Sequence, residues 1–588
     1  MHQTLMQVLD RTVDRHGDRD ALRVKRDGRW VTATWREYRA RCREVAKALL
    51  AVGLKRGEGV AIIGYNCPEW VYADVGGVMA GAMPAGIYTT SSAGQAAYIT
   101  DHCDAPVAFA ENAEQARKFI EARSDLPKLR HIVQFFEEPA HESVLTWKAF
   151  LELGAKVSDA DLDARIAEQK AEDVATLIYT SGTTGEPKGV MLTHANLTWT
   201  AGAAIETLGF GPGDEGVSYL PLSHIAEQLL TIHAPIVAGM TVSFAESMEK
   251  LGDALKEVRP TYFVGVPRVW EKIQAKMQAA GASAPPLRKK IAAWARKVGL
   301  AGGYAEQRGE GRGLQFAIAE KLVYSKVRAA LGFDRCRVAV TSAAPISKDT
   351  LEFFLSLGIR ILEVYGMSEC TGPTTFSLPD KYKTTYAGFA IPGTELKIAE
   401  DGEVCFRGPH VCKGYLKNET ATKDTIDADG WLHSGDIGVI DKDGFLKITD
   451  RKKELLITAG GENVAPQLIE GVLKSIPVVS QAVVFGDRQR YLAALVTLDP
   501  EKVEVEALAA GSPAKSTSEA ATCDKFKAHL EKQIEAVNSE LARVQNVRKF
   551  AILPGELTIE GGELTPTMKL KRRVIADKYK TEIAALFE

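Results

Sequence analysis

Between Thr180 and Lys188 the chain places four hydroxyls, two glycines and one lysine within nine residues, Thr180-Ser-Gly-Thr-Thr-Gly-Glu-Pro-Lys188. Such a string can grip phosphate. Glycines let backbone N–H groups approach an anion, hydroxyls donate to its oxygens, and the lysine ammonium neutralises charge. An apolar run, Val174 to Ile178, precedes it and predicts a strand feeding a loop. The spacing is not that of a Walker A loop. Gly182 stands six residues before Lys188, Glu186 and Pro187 intervene, and Gly189 follows the lysine. A flexible polar loop can have the same composition, so other segments must decide between the two.

Four such segments follow in order. They are Tyr365-Gly-Met-Ser-Glu369, Trp431-Leu-His-Ser-Gly-Asp436, Asp450-Arg-Lys-Lys-Glu-Leu-Leu-Ile-Thr-Ala-Gly-Gly461 and Pro566-Thr-Met-Lys-Leu-Lys-Arg572. Together with the Thr180–Lys188 string they closely resemble the AMP-forming acyl-CoA synthetases of the adenylate-forming superfamily. Four further strings resemble the bubblegum-type branch, which activates long and very long fatty acids. These are Ser218-Tyr-Leu-Pro-Leu-Ser-His-Ile225, Gly265-Val-Pro-Arg-Val-Trp-Glu-Lys272, Gly460-Gly-Glu-Asn-Val464 and Gly561-Gly-Glu-Leu-Thr-Pro-Thr-Met-Lys569. The resemblance covers essentially the whole chain, less so before residue 30.

The resemblance implies a role for each site. Thr180, Ser181, Gly182, Thr183, Thr184, Gly185, Lys188 and Ser368 would bind the ATP phosphates; the family usually has threonine where Ser368 stands. Glu369 and Thr180 would hold Mg²⁺, which favours hard oxygen ligands. Ala343, Ala344, Pro345, Tyr365 and Gly366 would line the adenine, with alanines where the family more often has glycines. Asp436 and Arg451 would hold the ribose. His224 would stand beside the carboxylate and the α-phosphate. Lys569 would be the catalytic lysine, although Lys571 lies two residues away and Met568 replaces the usual glycine. Lys453 would be the hinge, and Gly460 and Gly461 would leave room for the pantetheine of CoA. The acyl pocket would lie near Gln228 to Ala238, Val264 to Val266 and the strand before Tyr365. Gln228 occupies a position where some relatives carry a tryptophan gate.

The implied activity has two steps. A fatty carboxylate attacks ATP to give acyl-AMP and pyrophosphate, and CoA thiol then displaces AMP. Two other readings share part of the pattern: a ligase that passes acyl-AMP to a carrier protein, and a non-catalytic nucleotide- or lipid-binding protein.

Several elements must position these residues. Thr34 and Glu37 form a capping box ahead of a helix through Tyr38, Cys42, Val45 and Leu49 that ends at Gly53. Val60 to Ile63, Cys336 to Thr341 and Ile359 to Val364 read as strands, and Ser347 to Leu357 as a helix. A strand, a helix and a strand this close predict a parallel right-handed unit, with ligands at the carboxyl ends of the strands. Glu403 to Arg407, Ile437 to Ile440 and Phe445 to Ile448 read as short strands, the last two joined by the turn Asp441-Lys-Asp-Gly444. Beyond Asp450, strands at Gln481–Phe485 and Leu492–Leu498 and a helix at Asp524–Leu541 predict a separate α+β region. The segment from Gly281 through Gly302-Gly303 to Gly313 reads as loop, as does Gly511 to Ser518. The fold class is therefore α/β. A large N-terminal body of mixed and parallel sheets flanked by helices spans 1–450, with a small β subdomain at about 395–450. A small α+β C-terminal domain, mobile by resemblance, spans 451–588.

Composition narrows the partners. The chain has 588 residues, 73 Lys plus Arg and 76 Asp plus Glu, for a net charge of −3. It lacks the overall cationic field that would hold nucleic acid or an anionic membrane, and at 45% apolar residues it is not disordered. No C-x-x-C pair occurs among the eight cysteines, so reduced, mostly buried thiols and a cytoplasmic setting are expected. No signal-peptide core is visible. Val75 to Ile87 is apolar but too short to span a bilayer and reads as a buried, closely packed segment. No basic amphipathic helix stands out, so a weak peripheral membrane contact rests on the apolar substrate alone. The partners implied are fatty acid, ATP and CoA.

Overall fold

The computed structural model describes residues 3–180, 186–460, 462–539, 541–565 and 570–588. Of the residues singled out above, Ser181, Gly182, Thr183, Thr184, Gly185, Gly461 and Lys569 lie outside the described residues.

Two of the sheets are rich in parallel strands. The larger has eight strands, and its middle strands Gly59–Ile63, Met83–Ile87 and Val174–Thr180 pair in parallel. Lys188–Thr193 then turns back antiparallel on Val174–Thr180, and Gly414–Tyr415 pairs with its far side. The second sheet runs Tyr262–Gly265, Val338–Thr341 and Ile361–Met367 in parallel, then adds Gly372–Phe376 antiparallel. Val338–Thr341, the helix Lys348–Leu355 and Ile361–Met367 form the expected parallel unit, and Ser347 caps the helix by accepting from the Thr350 N–H. A four-stranded antiparallel sheet spans Glu395–Ile398, Glu403–Arg407, Leu432–Ile440 and Leu446–Arg451. The α+β region beyond it has its own three-stranded sheet, Val479–Phe485, Leu492–Leu498 and Val547–Ile552, over a separate apolar core.

Local signals were accurate where the chain is self-sufficient. The Thr34–Glu37 capping box forms in both directions, at 2.8 and 3.3 Å. Val75 to Ile87 is buried, apart from the half-buried Gly81 and Met83, as the end of one helix and the strand that follows.

The largest correction is the 281–313 segment. Pro286–Gln307 is a 22-residue helix, and its glycines are packing residues. A Cβ at Gly299 would stand 2.1 Å from the Ser356 carbonyl oxygen, and one at Gly303 would stand 2.5 Å from Leu355. These glycines let the helix lie directly against Lys348–Leu355. Two smaller corrections concern the second loop, where Thr517–Thr522 is helical, and the helix from Asp524, which ends at Asn538. All eight cysteines are free, six of them buried.

One buried carboxyl group has a measurable consequence. Asp74, on the helix Pro68–Met79, is fully buried with neither carboxylate oxygen hydrogen-bonded, and burial pushes its pKa up to about 8. An unfolded aspartate titrates near ~3.9. Between these values the native state holds a proton that the unfolded chain has released. Stability therefore falls as pH rises, by about 1.4 kcal/mol per unit, until the folded pKa is passed. Asp74→Asn removes that slope, and the variant should gain about 3 kcal/mol on wild type between pH 5 and 7. All eight tryptophans lie before residue 432, so urea unfolding followed by tryptophan fluorescence reports on this body. Parallel pH profiles for the two proteins would show that Asp74 is ionised in the fold.

Candidate active site

Thr180 pairs with Lys188 across the antiparallel turn, so the ends of the Thr180–Lys188 string stand side by side at the mouth of one hairpin. Both line a cavity of about 1340 Å³. That exceeds the roughly 300–1,000 Å³ of a single small-ligand pocket and leaves room for two substrates.

The cavity has a polar end at the carboxyl ends of the second sheet. Ser368 and Glu369, both buried, follow the strand Ile361–Met367 and face Thr180 and Lys188 across it. Tyr415 donates to Glu369 Oε1 at 2.8 Å, and Lys188 Nζ lies 5.0 Å above the Tyr415 ring. Burial and then the Glu369 charge hold the Tyr415 phenol well above its ordinary pKa, so it remains a donor. Glu369 makes no ion pair among the described residues. A buried hard carboxylate in the lining it shares with Thr180, with no ion-paired cation among the described residues, fits a Mg²⁺ ligand.

The pair expected at the ribose is brought together by pairing of the antiparallel sheet. Asp436 and Arg451 are register partners, and Arg451 Nε is 3.2 Å from Asp436 Oδ1. Tyr365 donates to Asp436 Oδ2 at 2.7 Å. Arg451, Ser434 and Gly435 line the cavity, while Tyr365 and Asp436 stand immediately behind the lining. Gly366 lines it as well, and its glycine is a requirement: a Cβ would stand 1.8 Å from the Gly372 carbonyl oxygen. Ala343 lines the cavity with φ 74°, a left-handed backbone that costs a non-glycine residue roughly 1–2 kcal/mol. Ala344 and Pro345 are exposed and outside the lining.

His224 caps the helix that begins at Ile225. Its Nδ1 accepts from the Ala226 N–H at 3.2 Å, which places the ring proton on Nε2. The loop before it is held by buried Glu227, whose Oε1 accepts from Ser218, Thr231 and the Tyr219 N–H. Burial raises the Glu227 pKa to about 7 against those hydrogen bonds.

From His224 the cavity continues as an apolar arm. Val340 and Val338 line it, as do their register partners Val264 and Tyr262. The arm therefore runs back from the carboxyl ends of these strands toward their starts, about 13 Å from Ser342 to Val338 at ~3.3 Å per residue. Leu229, Leu230, Ala234 and Val364 line it where the pocket was expected. Ala204, Leu208, Phe210 and Met240 line it as well, and no local motif points to them. Gln228 is buried outside the lining. The helix widens to a π turn at Leu229–His233, where Pro235 lacks the N–H that would bond Thr231.

The C-terminal region closes the polar end with Lys453, Thr565, Lys571 and Arg572. Arg572 is nearly buried and bonds both carboxylate oxygens of Glu470, at 2.7 and 3.1 Å. Gly460 is exposed and away from the cavity. Near Arg451, Glu403, Cys405 and His433 bring three potential ligand atoms within 4.8 Å. Lys452 Nζ lies 2.9 Å from Glu403 and 2.5 Å from Asp401, so an ammonium already answers that charge.

The chain matches the AMP-binding enzyme family over residues 9–416 and the AMP-binding enzyme C-terminal domain over residues 453–588. It is 44% identical over 612 residues to the long-chain-fatty-acid–CoA ligase ACSBG2 of Gallus gallus, covering 98% of this chain and 80% of that protein. The ACSBG2 ligase of Xenopus laevis is 43% identical, over 100% of this chain and 84% of that protein. The adenylation domain of a carboxylate reductase from Mycobacterium chelonae shares the fold, with a TM-score of 0.77 at 24% identity over 100% of this chain and 91% of that chain. Matches of this length and identity show that the chain belongs to the AMP-binding enzyme family, in its bubblegum-type branch of AMP-forming acyl-CoA synthetases.

Proposed function

We propose that the protein activates a long-chain fatty acid at the expense of ATP and transfers it to CoA. The observation that carries this reading is the single cavity with a phosphate- and sugar-binding end and an apolar arm leading away from it. A fatty acid in the arm presents its carboxylate at His224, beside Lys188 and Thr180. The carboxylate oxygen attacks the α-phosphorus, an acyl–phosphate bond forms, and the α,β bond breaks to release pyrophosphate. Lys188 and Thr180 stabilise charge on the phosphates, with the loop hydroxyls between them, and Lys569 approaches from the C-terminal region. Asp436 accepts from the ribose hydroxyls while Tyr365 and Arg451 hold its carboxylate in place. Glu369 and Thr180 would hold Mg²⁺, which when bound neutralises phosphate charge. In the second step CoA thiolate attacks the acyl carbon and AMP leaves. Rotation of 451–588 about Lys453 brings Gly460 and Gly461 to the site for that step.

Incubation with ATP and palmitate, with and without CoA, tests the reading. Pyrophosphate release should require palmitate, and a thioester should appear only with CoA. Accumulation of acyl-AMP unchanged by CoA would favour a carrier-loading ligase, and no release of pyrophosphate would leave a binding protein.

Phe210 sets the far end of the arm in this reading. Its ring packs 4.9 Å from the Tyr262 ring, and the Arg337 guanidinium lies 5.0 Å over it. Arg337 is itself fixed by Asp214 at 2.6 Å and the Gly209 carbonyl at 2.9 Å. Phe210→Ala should move the preferred chain length upward. A methylene in an apolar pocket is worth about 10- to 200-fold in discrimination, so the kcat/KM ratio of longer to shorter acyl chains should rise about tenfold or more. An unchanged optimum across a chain-length series would remove Phe210 as the floor.

A further inference from the structure

The helix Pro286–Gln307 stands away from the body over its first nine residues. No side chain from Pro286 to Trp294 is buried, and burial begins at Ala295. Leu287, Ile291 and Trp294 recur at helical spacing on one face and are 70%, 40% and 36% exposed. The next helical stretch, Leu314 to Tyr324, exposes a second stripe: Leu314 at 87%, Ile318 at 51% and Leu322 at 52%. The two helices pack through Ala295, Phe316, Ala319 and Tyr324, and the Tyr324 hydroxyl donates to the Ala295 carbonyl at 2.5 Å. These six side chains are among sixteen large apolar residues exposed in the described chain, yet they fall within 36 consecutive positions. Apolar surface concentrated in this way marks a contact face.

Charge identifies what the face meets. Arg288, Lys289, Lys290, Lys297, Lys321 and Lys326 are exposed, and none forms an ion pair among the described residues. The acids of the segment are Glu306, Glu310 and Glu320, and each is already bonded to an arginine of the same segment: Arg312, Arg308 and Arg328. A chain of net charge −3 thus carries an uncompensated cationic field on its most apolar surface. Nucleic acid would answer the cations and leave the aliphatic stripes in water. A second copy would cover the stripes but set like charges against each other.

We propose that this helix pair docks the protein on an anionic bilayer. Leu287, Ile291 and Trp294 enter the headgroup–acyl boundary, and the lysines lie against lipid phosphates and carboxylates. The purpose of docking rests on the fatty-acid reading above, while the binding itself does not. Leu300, on the same helix, packs in the cluster that walls the apolar arm with Leu208, Tyr262 and Val338. One helix therefore joins the docking face to the apolar cluster at the acyl site.

Co-sedimentation of the full chain with phosphatidylcholine vesicles, with and without phosphatidylserine, tests the proposal. The protein should bind the phosphatidylserine vesicles, and binding should weaken with salt. Leu287→Ser with Ile291→Ser and Trp294→Ser, and separately Lys289→Glu with Lys290→Glu and Lys297→Glu, should each reduce that binding about tenfold or more. Octanoate-dependent pyrophosphate release should stay at the wild-type rate in both, showing that they fold. Failure of the wild type to bind at low salt, undiminished binding by both variants, or a dimer dissolved by the serine substitutions would overturn the proposal. Vesicle binding that follows the variants in a protein that activates no fatty acid would overturn the ligase reading and leave the docking face standing.

Discussion

Glu369→Gln should slow acyl-AMP formation by about 10²- to 10³-fold, the range seen when one preorganised charge-stabilising group is removed. The substitution keeps the size of the side chain and removes its charge. Glu369 is buried at the polar end of the cavity with one oxygen fixed by Tyr415 and no cationic partner among the described residues. Its charge is therefore available to a ligand. Tyr415→Phe provides the comparison, because it retains the carboxylate and loses only the hydrogen bond that orients it. A single hydrogen bond to a charged group is worth about 1.5–3 kcal/mol, so this variant should lose roughly tenfold to a hundredfold. Pyrophosphate release measured over a range of Mg²⁺ concentrations separates the two effects. Glu369→Gln should require more Mg²⁺ at every ATP concentration. A Glu369→Gln protein within a few-fold of wild type, with an unshifted Mg²⁺ dependence, would remove Glu369 from the site.

Tyr415 also shows where sequence reading stops. The Thr180–Lys188 string, Glu369, Asp436 and Arg451 were legible because each lies in a short motif whose chemistry is local. Tyr415 acquires its role only when Gly414–Tyr415 pairs with Met191 and Val190 at the edge of the large sheet. Nothing near it in the chain announces that pairing. The same holds for Phe210, Tyr262 and Arg337, which come from three elements and meet only in the folded arm. Strands and turns behaved differently. Leu492–Leu498 was read to the residue because its apolar run is broken only by Thr497, and the turn at Asp441 to Gly444 carries its own hydrogen bonds.

The 281–313 segment failed for a physical reason. Glycine lowers helix propensity and so reads as a break. At Gly299, Gly302 and Gly303 that cost is offset by close approach to Ser356, Phe316 and Leu355, and those partners were not visible from the local sequence. The misreading also hid the basic amphipathic helix that the sequence seemed to lack. Ala343 is the converse case. The departure from the family's glycine was legible as a change in the adenine wall, but only the backbone shows that this position is left-handed.

Lys569→Ala should lower acyl-AMP formation by about 10²- to 10³-fold and leave thioester formation from supplied acyl-AMP near the wild-type rate. Lys571→Ala should retain more than a tenth of both activities. The structure sharpens why the two lysines compete. Leu564 and Leu570 form an antiparallel bridge, Leu570 packs in the C-terminal apolar cluster, and the Lys571 N–H donates to the Glu563 carbonyl at 2.7 Å. Lys571 lines the cavity beside the half-buried Leu570, whereas position 569 lies outside the described residues. Arg572, anchored on Glu470, ends the extended run and fixes its register. The half-reactions separate the two candidates. A lysine that bridges the attacking carboxylate and the α-phosphate acts in the first step only, so its loss must spare the second. Loss of the first step in Lys571→Ala, with Lys569→Ala active, would move the catalytic role by two residues. Equal loss of both half-reactions in both variants would show a structural basic segment with no catalytic lysine in it.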